Sequence, residues 1–238
     1  MIPYLVINGK SSRGVMGLMV QSLAPISKPK VRTNIEEIDG RDGDIVTTLG
    51  YSAYDKPVTI GLYGDYNVDD VIKFFDSEGQ VTFSNEPDKY YNFAIYDQID
   101  LERLIRFKTA TINFHVQPFK YSEDETTRIY RYNAGTTSAS IKIRNNGNIY
   151  SKPKVTITGS GELYIYLGNT QVLLLNLSAD QTIIIDVATM NAYDESGNYL
   201  NRLVTGDYDN FILQTGYNTI DITGEVSEVK IDNYSRWI

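Results

Sequence analysis

The chain has 238 residues, with 30 acidic side chains, 22 Lys or Arg side chains and a formal net charge of −8. This charge, with no local basic cluster to offset it, argues against binding to the phosphates of nucleic acids. Cysteine is absent, which excludes disulfides and thiolate metal sites. The 19 tyrosines and the many β-branched residues favour strands over helices. The length suits one large domain or two small ones.

The N-terminal residues 1–8 lack the basic segment and the long apolar run of a signal peptide. The longest apolar runs elsewhere are too short to span a bilayer. We therefore expect a soluble protein that is not exported by the conventional route and that has no membrane partner.

Short strands and turns are predicted at the start of the chain. Residues 4–7 form a strand that ends at the turn dipeptide Asn8-Gly9, and residues 15–23 form a second strand. Pro25 and Pro29 bracket an irregular link, because proline lacks the N–H that a central strand needs.

Residues 32–48 predict a β-hairpin. Two β-prone segments, 34–38 and 45–48, flank the run Asp-Gly-Arg-Asp-Gly-Asp at 39–44. Glycine reaches positive φ without a Cβ clash, and aspartate bonds to nearby backbone in turns. The run is not an EF-hand calcium loop, because Arg41 and Gly50 stand where an oxygen ligand and a glutamate are required. The hairpin is either a surface element without further role or a contact for a partner.

One helix is predicted after this hairpin. Asn67 can cap it, acidic residues occupy its first turn, and Gly79 can end it. Its apolar residues fall on one stripe at helical spacing: Val68, Val71, Ile72 and Phe75. We expect this helix to close one side of an N-terminal sheet.

The strands predicted around this helix are residues 57–63, 80–84, 90–99 and 106–119. Residues 51–56 are interpreted as a turn and 100–103 as a connection. Within the last strand, Ile112, Phe114 and Val116 share one face, and His115 lies on the other.

A change to polar, acidic composition at 122–125 predicts a domain boundary after Tyr121. Beyond it, short β-prone segments alternate with turns, as in an antiparallel sandwich or jelly roll. The predicted strands are 128–132, 138–144, 154–158, 162–167, 171–176, 182–187, 211–214, 217–223 and 226–234.

No catalytic, cofactor or metal site is expected. His115 is the single histidine, it lies inside a predicted strand, and no Gly-x-Ser-x-Gly motif accompanies it. One histidine without cysteine cannot supply the usual ligands of zinc. The Gly-Ser-Gly run at 159–161 precedes a strand and lacks the lysine of a phosphate-binding loop. Two carboxylates at suitable separation would suffice for a glycosidase, but no pair stands out.

Tyrosines near the turns of the second half leave two interpretations open. Exposed tyrosines can stack on sugar rings, or they can cover a sandwich edge or a protein interface. We favour packing or interface. Because Trp237 is the only tryptophan and lies at the end of the sequence, the C-terminal domain is expected to bind simple sugars weakly or not at all.

Taken together, several segments resemble the distal tail proteins of long-tailed phages that infect Gram-positive bacteria. In the first half these segments are the turn at 40–43, the single helix, residues 83–91 and the pattern Phe114-x-x-x-Pro118-Phe119. The second half adds Asn145-Asn146-Gly147, Pro153 and Thr158-Gly159-Ser160-Gly161. No single motif is specific, and the resemblance rests on their order and spacing across nearly the whole chain.

The resemblance implies a mainly β protein with two domains. Residues 1–121 are expected to form an N-terminal β-sandwich-like domain with one α-helix and a projecting β-hairpin. Residues 122–238 are expected to form a C-terminal galectin-like antiparallel β-sandwich, or jelly roll. The chain has no room for the inserted carbohydrate-binding module of some relatives, which indicates the short, structural form.

The resemblance also implies a function in assembly without catalysis. In this family, six subunits form a ring at the distal end of the tail in the virion, assembled in the host cytoplasm. The ring joins the major tail tube protein to a tail-associated lysin or fibre protein and, in some phages, supports a receptor-binding protein. DNA passes through the ring without sequence-specific contact.

A candidate ring interface follows from this resemblance and from the hairpin. Ile35, Ile38, Ile45 and Val46 are apolar residues on an element expected to stand away from its own core, where a partner must cover them. Arg41 in the turn can bond to a carboxylate of the neighbour. The alternative is that the hairpin folds back on its own domain.

Two other functions stay open at this stage. The second hypothesis is a stand-alone carbohydrate-binding sandwich protein that recognises cell-wall glycans. The third is an enzyme. A ring in electron micrographs, retention on wall polysaccharide, or turnover of a glycan would separate the three.

Overall fold

The computed structural model describes residues 2–76, 78–232 and 234–238, and it is built mainly of antiparallel β-sheet. The predicted fold class is thereby confirmed. The chain divides into two compact units, residues 1–123 with Ile238, and residues 124–237. That each unit folds by itself, with a boundary near Tyr121, stays a prediction.

The first unit contains nine strands and two helices among its described residues. The strands are β1 (Leu5–Ile7), β2 (Lys10–Ser11), β3 (Leu18–Ser22), β4 (Val31–Glu37), β5 (Asp44–Tyr51), β6 (Tyr54–Leu62), β7 (Glu78–Phe83), β8 (Lys89–Ala94) and β9 (Thr109–Ser122). The helices are α1 (Val68–Phe75) and α2 (Leu101–Phe107), and residues 12–14 form a short 3₁₀ turn. Seven strands follow the order β2-β1-β7-β8-β9-β6-β3, whereas β4 and β5 form a separate two-stranded sheet.

The core of this unit lies between α1 and one face of the sheet to which these seven strands belong. In β9, Ile112, Phe114 and Val116 are buried, as their alternation predicts. Val71 and Phe75 of the predicted helical stripe are buried against the same cluster. The Asn67 side chain accepts a hydrogen bond from the Asp69 N–H, so the predicted cap is also correct.

The sequence prediction of a single helix is wrong, because α2 was interpreted as a connection and the beginning of a strand. Asp100 caps α2 by accepting a bond from the Arg103 N–H at 2.9 Å. Leu104 is fully buried, but Ile105 and Phe107 are exposed. A helix of two turns with so narrow a buried stripe gives almost no periodic signal. The left-handed Lys108, at φ 57°, ends it.

Three other local predictions were wrong in this unit. Helix α1 ends at Phe75, with Asp76 as its C-cap, and not at Gly79, which lies in β7 with φ 130°. Within the segment 51–56, interpreted as a turn, residues 54–56 already belong to β6, and the strand expected to reach residue 99 ends at Ala94. Each error falls at an element boundary, where neighbouring strands decide the conformation more than local propensity does.

The second unit contains eight strands among its described residues, and several are longer than the sequence predicts. They are β10 (Arg128–Arg131), β11 (Ser138–Asn145), β12 (Lys154–Leu167), β13 (Thr170–Asp186), β14 (Asn191–Tyr193), β15 (Val204–Gly206), β16 (Gly216–Asp232) and β17 (Arg236–Trp237). β12, β13 and β16 each merge two predicted short strands. Residues 211–214, predicted as a strand, form only an isolated bridge through Leu213.

The three long strands bend together and so contribute to two half-sheets. One half has the order β11-β16-β12-β13-β15 and the other has the order β10-β16-β12-β13-β14. Buried residues of both halves form one continuous apolar cluster. The unit is therefore a sandwich made from one folded sheet.

Glycines mark the bend of these long strands. A Cβ on Gly224 would lie 2.3 Å from the carbonyl oxygen of Glu162, and one on Gly159 would lie 2.4 Å from that of Glu225. The register between β12 and β13 shifts between Gly159 and Gly161. The Gly-Ser-Gly run, interpreted as a turn, is thus a bulge that lets a continuous strand change sheets.

Candidate assembly interface

The predicted hairpin is present as β4 and β5. Ile35 pairs directly with Val46, so these two side chains share one face, and Ile45 pairs with Glu36 on the other. The N–H of Arg41 donates to the carbonyl oxygen of Ile38 at 3.1 Å to close the turn. Gly40 and Gly43 have φ values of 81° and 76°, which explains the two glycines there.

Apolar side chains of this hairpin are open to solvent. Ile35 is 56% exposed, Val46 57% and Ile38 49%, whereas Ile45 is half-buried. Leu49 is also 57% exposed, and sequence reasoning missed it because the predicted strand ended at Thr48. Among the described core residues of this unit, none comes from β4 or β5. The structure therefore brings together Ile35 and Val46 of the five candidates, and it places Ile38 and Arg41 at the turn.

The hairpin is also acidic. Residues 31–51 carry five carboxylates and two arginines. Glu37 and Asp44 are a cross-strand pair at the distal end, and both are exposed. An exposed apolar stripe bordered by like charges is unfavourable to leave in water and fits a partner that is apolar and basic.

The link that leads into the hairpin is fixed by three polar side chains of the unit's body. Lys56 Nζ donates to the carbonyl oxygen of Pro25 at 3.2 Å, and Asn85 donates to that of Ala24 at 3.1 Å. The Tyr54 hydroxyl donates to the carbonyl oxygen of Ser27. These bonds satisfy carbonyl groups of the irregular link, which belongs to no strand, so they set where the hairpin leaves the body.

The return side of the hairpin is fixed by an aromatic contact. The ring of Tyr51, the last residue of β5, meets that of Phe119 edge-on at 5.4 Å between centroids. The Ser52 N–H donates to the carbonyl oxygen of Lys30 at 2.8 Å and closes the base. The hairpin is thus anchored at its base and open at its distal end.

Lys56 belongs to a buried charged network. It is 1% exposed and lies over the rings of Phe83 and Tyr91, each 5.2 Å from its ammonium nitrogen. Burial lowers the pKa of Lys56, while nearby Glu86 opposes that shift. Glu86 in turn pairs with Lys120 at 2.8 Å.

Tyr91 completes this network. Its hydroxyl donates to Glu86 at 2.5 Å. Burial, reinforced by that bond to a carboxylate, raises the pKa of the Tyr91 hydroxyl. The phenol therefore stays protonated as a donor, and Glu86 receives both a phenol and an ammonium.

His115 lies at the surface of β9, as its alternation predicts. Its Nδ1 is 2.8 Å from an oxygen of Asp55 on the neighbouring β6, and Tyr96 packs beside its ring at 5.6 Å. Within the described ranges, no group of three or more His, Asp or Glu side chains is placed to hold a metal ion. In that same part of the chain, no helix combines the length and apolar character needed to cross a membrane.

Comparison with known proteins gives a match in structure and none in sequence. No protein-family model matches the chain, and no curated protein does. The structure of SPP1 Dit (gp 19.1), described as a paradigm of the hub adsorption apparatus in phages infecting Gram-positive bacteria, matches with a TM-score of 0.63 and 19% identity. The match covers 98% of this chain and 99% of that one. The chain has the fold of a Dit hub protein.

Chains of the phage P2 baseplate share this Dit fold. A chain of the activated baseplate with Ca matches with a TM-score of 0.54 and 11% identity, over 97% of this chain and 98% of that one. The corresponding Sr structure gives a TM-score of 0.51 and 11% identity, over 97% of both chains. The predicted resemblance is confirmed for the fold.

Proposed function

We propose that this chain is a structural hub protein of a phage tail tip, built as a ring of six copies. In this proposal the first unit builds the ring. The observation that carries the proposal is the match to SPP1 Dit over nearly the full length of both chains. A shared sandwich alone would cover only one unit, whereas this match includes the hairpin-bearing unit and the sandwich in one order.

The exposed hairpin supports assembly. A ring uses one heterologous interface repeatedly, so each subunit needs two different complementary surfaces. The face formed by Ile35 and Val46 is proposed as one such surface, with Ile38 and Arg41 at the turn beside it and Ile45 on the opposite face of the hairpin. A neighbour that covers this face buries apolar surface, and each Å² removed from water stabilises the contact by roughly 25 cal/mol.

The proposed partners follow from the position of such a ring. One side would contact the major tail tube protein and the other a tail-associated lysin or fibre protein, with a receptor-binding protein in some assemblies. The location is the distal end of the tail in the virion. In this role the chain catalyses no reaction.

Location in the particle is the direct test of this function. Gold-labelled antibody raised against the purified chain is expected to bind the distal tail tip of particles of the phage that encodes it. Antibody against the major capsid protein is the control for access to the particle. Label confined to the head, or none on intact and tip-exposed particles, would contradict the proposal.

A second candidate function, carbohydrate binding, is supported by exposed tyrosines of the second unit. Tyr217 is 67% exposed, and Lys142 and Arg144 lie 4.6 and 5.4 Å from its ring centre. An exposed aromatic side chain can stack on a sugar, but the side chains of Lys142 and Arg144 already lie over the Tyr217 ring. Titration of the full chain with galactosides and host wall glycans is expected to show weak or no binding. Saturable micromolar binding that Tyr217→Ala abolishes would favour this function.

A further inference from the structure

Helix α2 and the residue after it present a surface that is largely open to solvent, although Lys108 donates to the Tyr66 hydroxyl of the same unit. Leu104 holds the helix to the core, while Phe107 is 63% exposed and Ile105 45%. Residues 103–108 carry Arg103, Arg106 and Lys108 and no carboxylate, in a chain of net charge −8. We call Arg103, Ile105, Arg106, Phe107 and Lys108 the α2 surface.

An open depression adjoins the α2 surface. Its volume is about 530 Å³, and it lies where α2 leads into β9. The side chains that line it are Asp100, Glu102, Arg103, Arg106, Phe107 and Thr109. The depression therefore has an apolar wall at Phe107, two cations at Arg103 and Arg106, and two carboxylates at Asp100 and Glu102.

We propose that the α2 surface receives the hairpin of a second copy of this chain. The inference rests on the ring proposed above and names its second surface. The charge patterns are complementary: Glu37 and Asp44 at the end of the hairpin match Arg103 and Arg106. Arg41, the single cation of the turn, matches the carboxylate rim of the depression.

Apolar exposure argues for the same pairing. Val46 and Phe107 are 57% and 63% exposed in the same chain, so the chain's own hairpin does not cover its α2 surface. Both features belong to the first unit. A hairpin that engages the α2 surface of the next copy, whose own hairpin engages a further copy, satisfies the head-to-tail rule of a closed ring.

Charge reversal on each side tests the pairing. The hairpin variant carries Glu37→Lys and Asp44→Lys, and the α2 variant carries Arg103→Glu and Arg106→Glu. Each variant alone places like charges in every contact. We expect the concentration for half-assembly of each to rise at least about tenfold, measured by light scattering on the full chain. Arg202→Glu, an exposed reversal in the second unit, is the matched control and should assemble normally.

Mixing the two variants is the decisive step. An equal mixture restores opposite charges at every contact, provided that the two chains alternate, which a ring with an even number of subunits permits. Assembly of the mixture at the wild-type concentration is expected and would also prove that both variants are folded. A mixture that stays monomeric while both variants unfold cooperatively overturns the inference.

Other outcomes separate the inference from the proposed function. In one outcome the wild type and the α2 variant form rings and the hairpin variant does not. The second surface then lies elsewhere in the chain, and the ring proposal stays intact. A different protein as occupant of the α2 surface would give this result too. A wild-type chain that stays monomeric at every concentration overturns both the ring and its α2 contact.

Discussion

Lys56 shows how a single buried charge can control a surface element. Its ammonium group has little access to water and bonds to the carbonyl oxygen of Pro25, in the link before β4. Breaking a buried interaction of this kind costs more than a surface ion pair contributes. Sequence reasoning did not find it, because Lys56 was interpreted as part of a turn and strands rarely bury lysine.

The pH dependence of stability should reveal this lysine. The pKa of Lys56 is lowered in the folded chain, so between that value and about 10.5 the unfolded chain binds more protons. The free energy of unfolding contributed by Lys56 therefore rises with pH across this window. We expect the difference in unfolding free energy, wild type minus Lys56→Met, to increase from pH 8 to pH 10 in denaturant titrations.

The control for Lys56 is Lys28→Met in the same link, where the lysine is exposed. This variant removes an ammonium group from the same link and leaves the bond from Lys56 to Pro25 in place. A difference for Lys56→Met that stays flat from pH 8 to pH 10 would mean that the Lys56 ammonium is solvated in the folded protein.

Gly224 tests the bend of the second unit at the same scale. Its φ of 121° and the nearby Glu162 carbonyl oxygen both exclude a side chain. We expect Gly224→Ala to lower the unfolding free energy by at least about 2 kcal/mol, measured in denaturant titrations. Gly161→Ala, with positive φ but open space around its Cβ, isolates the backbone strain at about 1 kcal/mol. Equal losses for both would show that the close contact relaxes.

At the scale of elements, the hairpin is the least integrated part of the first unit. Its strands pair only with each other among the sheets of the described residues, and its base alone is fixed. An element with so few internal contacts keeps its exposed apolar face at a cost unless a partner covers it.

A double substitution on one face of the hairpin should separate folding from assembly. Ile35→Asp with Val46→Asp removes the paired apolar face, and both side chains are exposed in the single chain. We expect monomers by light scattering. The unfolding free energy should change by no more than about 0.5 kcal/mol, which is the usual range for surface substitutions. Ile38→Asp with Ile45→Asp should act likewise, at a larger stability cost because Ile45 is half-buried.

Ile129→Asp, at a 45% exposed strand position in the second unit, is the control for these hairpin variants. It should assemble as the wild type does. An intact ring in the double variant Ile35→Asp with Val46→Asp would show that this face of the hairpin is not part of the interface.

The elements that sequence predicts are those whose signal is local. The hairpin follows from its glycines, α1 from its apolar spacing and Asn67 cap, and β9 from strict alternation. The long bent strands were divided at Gly159 and at Asp180, because a bulge and a turn use the same residues. Which hairpin residues share a face depends on register, and register becomes visible only in the structure.

At the scale of the whole molecule, the chain has two separate apolar cores. One is built on the main sheet of the first unit with α1, and the other lies inside the bent sandwich. Two cores within one chain of this length are what independent domains require. The change to polar, acidic composition at 122–125 predicts a boundary between them, whereas length alone is compatible with one domain or two; that each part folds independently stays a prediction.

Truncation tests the division. Residues 1–121 alone are expected to unfold cooperatively, with near-native secondary structure by circular dichroism, because their core residues all lie within that range. Residues 124–238, produced as a separate fragment, are measured in the same way for comparison. A molten or aggregated first half, beside a well-folded full chain, would show that the two units depend on each other.

The mass and symmetry of the purified wild-type assembly test the central claim most directly. Native mass spectrometry and electron micrographs of the full chain, at high protein concentration and moderate salt, are expected to show closed rings of six copies, or two such rings together. Monomers at every concentration, or open filaments without a closed six-fold ring, would contradict the account.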